Sequence, residues 1–211
     1  MNSSKEKNFE KELPPCYKQA LYINAKDTKF CIVFNLIALS VLIVVIALAV
    51  ISLHIADRQI PSFLEMGPLQ LLSIYVVFIA ITSAYVVLHE LVHGIAYKGL
   101  TGEKLTFGVS RSCAFCGVPH IYTYRKTALI ATIAPFAVFT LLFIPILILL
   151  YLVSPPYYMI MAVVFGLHLG GCGGDLYVSY LLTKKFKDKN TLMRDTGPEQ
   201  FFYVYETTSL T

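Results

Sequence analysis

The chain has 211 residues, 56% of them hydrophobic and 14% charged, with a mean hydropathy of +0.66 and a formal net charge of +4. Such a composition excludes an ordinary soluble domain and points to a membrane protein. It also excludes a nucleic-acid-binding module, because the basic residues are not gathered on a polar, aromatic-interleaved surface.

Residues 1–29 form a polar N-terminal tail with six lysines. No small-residue cleavage site follows the first apolar run, so the first helix is expected to stay in the mature protein. Four apolar runs, about 30–53, 69–97, 127–153 and 157–182, each exceed the roughly 20 residues a helix needs to cross a bilayer. Met66-Gly67-Pro68 and Ser154-Pro155-Pro156 stop one helix and start the next. Between the second and third runs, Leu105, Phe107 and Val109 alternate, Gly117-Val118-Pro119 turns, and Ile121 to Tyr124 is β-branched and aromatic. This pattern predicts a short β-hairpin over 105–124. The tail FFYVY at 201–205 is strand-like and could pair with that hairpin. No repeat or linker divides residues 30–211, which read as a single membrane-embedded domain. The expected architecture is an all-α polytopic membrane protein with four transmembrane helices, a small cytoplasmic β-hairpin and a strand-like C-terminal tail.

Orientation follows from charge. Six Lys or Arg precede the first helix, one lies in the loop 54–68, five lie between Lys98 and Lys126, and five follow Leu182. The bias places both termini and the 98–126 loop in the cytoplasm. The five cysteines are an odd number, and those facing a reducing cytoplasm are expected to be free thiols.

The second run contains YVVLHELVHGIAY at 85–97. On a helix, His89 and His93 stand four residues apart on one face, so both rings can reach one metal ion. In this H-E-x-x-H arrangement Glu90 lies beside the open position of the metal and can take a proton from bound water. In a chain with five histidines, the number of such matches expected by chance is on the order of 0.004. Placing an ionisable residue near a bilayer centre costs roughly 2.5–3.5 kcal/mol, and such residues normally face a cavity or a partner.

A catalytic zinc takes three protein ligands and leaves a fourth position open. Asp175 is the only carboxylate in the other three runs. At about 1.5 Å per residue, His89 lies about 9 Å and Asp175 about 8 Å to the cytoplasmic side of their helix midpoints. Gly170, Gly171, Gly173 and Gly174 would let helix backbones approach closely around that aspartate. His168, seven residues before Asp175, is a candidate for orienting a ligand or steadying an oxyanion, and Cys172 is an alternative ligand. Cys113, Cys116 and His120 offer three ligands for a second metal, with no fourth evident.

HELVHG at 89–94, Ala134-Pro135-Phe136, Gly174-Asp175, and DTGP followed by FFYVY at 195–205 resemble the zincin peptidase family of bacterial membrane proteins. More distantly, the chain resembles the membrane-embedded zinc metalloproteases of the site-2 protease type. Here the aspartate follows GGCGG and precedes Leu176, unlike the usual site-2 pattern. The resemblance implies a zinc metallopeptidase in the bacterial cytoplasmic membrane, with His89, His93 and Asp175 as metal ligands, Glu90 as catalytic base, membrane lipid as surroundings and a membrane protein or peptide as substrate. The residues alone also suit a metal-binding scaffold without catalysis, or a zinc hydrolase of a lipid or non-peptide amide.

Overall fold

The structure is a computed structural model and describes residues 7–59, 62, 65–109 and 114–206. The chain is mostly helical. Four helices are long and apolar enough to cross a membrane: α1 Thr28–Ile55, α2 Pro68–Thr101, α3 Arg125–Val153 and a broken fourth over Pro155–Lys185. Local signals explain their ends. Asp27 caps α1, its carboxylate accepting from the backbone N–H groups of Lys29 and Phe30 at 3.0 Å each. Pro68 opens α2, where a missing N–H costs nothing. Gly102 closes it at φ +72°, a conformation only glycine adopts freely.

The strands are β1 Phe9–Glu10, β2 Tyr17–Asn24, β3 Thr106–Val109, β4 Ala114–Gly117, β5 Tyr122–Tyr124, β6 Leu192–Asp195 and β7 Glu199–Tyr205. They form a five-stranded sheet in the order β1-β5-β6-β7-β2 and a two-stranded β3-β4 hairpin. The expected hairpin is therefore shorter than 105–124. Val118 and Pro119 turn the chain, with the Ile121 N–H donating to the Val118 carbonyl at 3.2 Å, and β5 leaves to join the larger sheet.

The C-terminal tail also pairs differently from expectation. It runs antiparallel to β2, from Tyr17 opposite Tyr205 to Asn24 opposite Glu199, and to β6, not to the hairpin. Lys18 and Gln19 in YKQALYIN make β2 read as part of a polar tail. Its inward positions nevertheless bury Ile23 against the fully buried Met193 and Phe202. The all-α expectation thus gives way to four helices plus a sheet.

The chain forms two compact units. The first comprises 1–31, 90–135 and 174–211 and holds the sheet. One face of that sheet packs on Val178, Leu181, Leu182 and Phe186, and a second cluster gathers Tyr97, Val118, Ile121 and Ala131. The second unit comprises 32–89 and 136–173, with a core of Ala49, Leu53, Met159 and Ala162.

The fourth span breaks where its glycines cluster. Helix α4, Pro155–Gly171, ends before Cys172, and α5, Gly173–Tyr180, runs into a π-helical turn over Leu181–Lys185. Four glycines around one position weaken the helix enough to allow this break. Only some of them serve close packing. A Cβ on Gly170 would lie 2.8 Å from the Ala38 Cα, whereas Gly171 and Gly174 have nothing within 4 Å. The glycine run therefore seats α4 on α1 and does not draw a neighbouring helix towards Asp175.

Candidate metal centre

Tyr85, His89, His93 and Tyr97 lie at four-residue intervals on the unbroken helix α2, so their side chains share one helical face. All four are buried.

Within the first unit, the His93 Nε2 stands 3.5 Å from the Asp175 Oδ2, and Asp175 comes from the first turn of α5. The opposite nitrogen of the ring, Nδ1, lies 2.8 Å from the Ala131 carbonyl oxygen on α3. A carbonyl only accepts, so Nδ1 carries the hydrogen and donates it. That leaves the lone pair of a neutral ring on Nε2, facing the carboxylate. A direct hydrogen bond between these groups would close to about 2.9 Å. Two ligand atoms on a tetrahedral zinc with bonds of about 2.1 Å instead stand roughly 3.4 Å apart. The spacing and the nitrogen–oxygen donor set therefore fit zinc. Glu90 belongs to the same unit and is half-buried.

Several contacts in this unit brace the helix beside His93. The Tyr97 hydroxyl donates to the Asp195 Oδ2 at 2.7 Å. The second carboxylate oxygen of Asp195 accepts the Gly197 N–H at 2.8 Å, and its backbone carbonyl accepts the Val118 N–H at 2.8 Å. Burial pushes the Asp195 carboxyl up to about 6. Gly197 sits at φ +97°, which explains the glycine in DTGP. Gly94 provides a close approach: a Cβ there would lie 2.7 Å from the Phe107 ring, so the absence of a side chain seats the β3-β4 hairpin against α2 next to His93.

Within the second unit, His89 Nδ1 meets the Tyr85 hydroxyl at 3.1 Å. That hydroxyl meets His168 Nδ1 at 2.9 Å, and His168 Nε2 meets Thr140 Oγ1 at 3.0 Å. Cys172 Sγ lies 3.5 Å from His168 Nδ1. His168 is fully buried, and Phe139 and Phe143 pack around Tyr85 and His168. His168 and Cys172 form with His89 a group of three possible ligands whose atoms lie within 4.8 Å of one another.

The second-metal candidates do not assemble. Cys113 lies outside the described residues, and His120 is exposed while Cys116 is buried. Among the described residues, neither joins a three-ligand group. Burial, together with the charges of Glu90 and Asp195, pushes the Cys116 thiol up to about 12, away from the thiolate a metal requires. Cys16, Cys31, Cys116 and Cys172 are free thiols.

Sequence reasoning missed Tyr85, Tyr97, Ala131, Thr140 and Asp195. The four-residue ladder Tyr85-His89-His93-Tyr97 is a visible signal for the two tyrosines. The Ala131 contact is made by a backbone carbonyl, which no side chain announces.

No curated protein and no solved structure matches the chain. A family model described as "Putative zincin peptidase" matches residues 82–189, just over half of the 211 residues and a span that includes the C-terminal part of α2 together with α3, α4 and α5. The chain belongs to this zincin peptidase family.

Proposed function

We propose that the protein is a membrane-embedded zinc metallopeptidase that hydrolyses peptide bonds near the cytoplasmic membrane face, with zinc held by His89, His93 and Asp175. The observation that carries this reading is the approach of His93 Nε2 to Asp175 Oδ2 at 3.5 Å, with His89 one turn earlier on the same helix. When bound, zinc would supply a Lewis acid and lower the pKa of a water at its open position towards about 7.

The side chains of this chain supply the rest. His93 keeps Nε2 available because Ala131 takes its Nδ1 hydrogen. His89 presents Nε2 in the same way when its Nδ1–H donates to Tyr85. The Tyr85 hydroxyl then donates to His168 Nδ1, and His168 Nε2–H donates to Thr140. Tyr85 and His168, the two middle groups of this chain, each accept one hydrogen and give one. Glu90 accepts the proton of the attacking water on a carboxylate oxygen and passes it to the leaving amine.

Substrate binding falls to the hairpin beside His93. Among the described residues β3 pairs only with β4, and its Val109 is 85% exposed. An extended segment of a membrane protein or peptide adds to the β3 edge as a strand, its backbone bonds giving affinity independent of sequence. The four apolar helices lie in the bacterial cytoplasmic membrane, with both termini in the cytoplasm as the lysine and arginine distribution implies.

Membranes carrying the wild type or Glu90→Gln test the reading. The variant is expected to lower peptide hydrolysis by roughly 10²–10⁴-fold while retaining zinc. Unchanged peptide products, or a changed lipid profile with unchanged peptides, would contradict it.

A further inference from the structure

Helix α3 runs without interruption from Arg125 to Val153, yet it contains Pro135 and Pro145. Proline has no N–H, so each one deprives the carbonyl four residues earlier of its helical partner, and the ring pushes that carbonyl off the helix axis. For Pro145 the carbonyl is that of Leu141. For Pro135 it is that of Ala131, the carbonyl that accepts the His93 Nδ1–H at 2.8 Å.

Ala131 is fully buried, so its carbonyl has no access to water. A buried carbonyl without a donor costs about 1–3 kcal/mol. Two deficits therefore cancel within one contact: a helix acceptor that has lost its N–H, and a buried imidazole N–H that needs an acceptor. A side-chain acceptor could rotate away or reverse its polarity, whereas a backbone carbonyl in a continuous helix can do neither.

We infer that Pro135 is a positioning residue: by withholding its N–H it reserves the Ala131 carbonyl for His93, which fixes His93 as the Nδ1–H tautomer with the Nε2 lone pair directed at Asp175. This rests on the zinc reading for its purpose, but not for the tautomer itself. It gives Pro135, within the Ala134-Pro135-Phe136 run, a role in the metal centre without any contact to the metal. Pro145, ten residues further along the same helix, is the matched control, since among the described residues no side chain donates to Leu141.

Restoring an N–H at position 135 gives Ala131 a second donor. The carbonyl has two lone pairs, so the His93 bond is shared and loosened, not abolished. Outer partners of metal-binding histidines typically contribute 10–100-fold in affinity, and sharing places the effect at the low end of that range.

The experiment uses the full chain in detergent or nanodiscs and has two readouts. The first is the ¹⁵N chemical shifts of the His93 imidazole in metal-free wild type, which distinguish the tautomers and need no variant to fold. Followed up the pH scale until the ring is neutral, the Nδ1–H form is expected, and an Nε2–H form overturns the proposal. The second is zinc affinity, measured by chelator competition, for the wild type, Pro135→Ala, Pro145→Ala and His93→Ala. Pro135→Ala is expected to weaken zinc about tenfold, with Pro145→Ala within about twofold of wild type. Equal affinities for Pro135→Ala and wild type, or equal losses in both proline variants, overturn the proposal. If the wild type binds no zinc, or His93→Ala binds it unchanged, the zinc reading fails and the tautomer measurement still decides the role of Pro135.

Discussion

The surroundings of the two motif histidines differ in one respect that governs how each behaves. His93 gives its Nδ1 hydrogen to a backbone carbonyl at 2.8 Å, a partner that can only accept. His89 meets a tyrosine hydroxyl at 3.1 Å, a partner that both gives and accepts. Beyond that hydroxyl stand His168 and Thr140, which have the same freedom. A neutral His93 is thus held to one tautomer, with its hydrogen on Nδ1. His89 belongs to a chain that can point either way, and a cation on its Nε2 selects one direction for the whole chain. Two residues that look equivalent in H-E-x-x-H therefore have different hydrogen-bond partners, one fixed in polarity and one reversible.

Removing either ring is the coarsest way to test this difference. His93→Ala and His89→Ala are each expected to weaken zinc by on the order of 100-fold or more, since each ligand carries a sizeable share of a structural-scale affinity. Chelator competition measures it, and a variant that keeps wild-type affinity would remove its residue from the centre.

Tyr85→Phe sharpens the comparison, because it deletes one hydroxyl and preserves the ring packed on Phe139 and Phe143. Zinc affinity is expected to fall about tenfold, with the metal-free protein melting close to wild type. The His93 tautomer should not change in this variant. A shift in His93 would show that the two histidines are not held independently.

The smallest effect on the site comes from Asp195, which holds Tyr97 one turn beyond His93. Burial pushes its carboxyl up to about 6 in the folded protein, above the ordinary carboxylate range. The folded state binds this proton more tightly than the unfolded chain, so the stability it contributes is full at low pH and is lost as pH rises towards and through about 6. Holding the carboxyl at about 6, above its ordinary range, corresponds to about 3 kcal/mol across that window. Thermal melts between pH 4.5 and 7.5 should show this decline in wild type and a flatter profile in Asp195→Asn. Equal slopes would place the proton elsewhere. Zinc affinity in Asp195→Asn should stay within about threefold of wild type, since Tyr97 is not itself held to the metal.

What was legible in the sequence divides along physical lines. Helical spacing pointed to His89 and His93 as a pair, and the scarcity of carboxylates in apolar runs pointed to Asp175, whose Oδ2 stands 3.5 Å from His93 Nε2. The four spans followed from apolar length alone. The N-terminal strand β2 did not, because Lys18, Gln19 and Ala20 are all exposed and interrupt the alternation that buries Ile23. The break at Cys172 was written in the flanking glycines, but their partners on α1, Ala38 for Gly170 and Phe34 for Gly173, come from a segment more than 130 residues earlier. The acceptor for His93 is main chain, and only the missing N–H of Pro135, four residues on, marks it in the sequence.

The central claim is that Asp175 completes a zinc site begun on α2, and the zinc content of the purified full chain tests it most directly when wild type and Asp175→Ala are compared after identical preparation. The account predicts one zinc per wild-type chain and a loss of most of it in Asp175→Ala, with the helical content of the two proteins equal by circular dichroism. Full zinc retained by Asp175→Ala would contradict it.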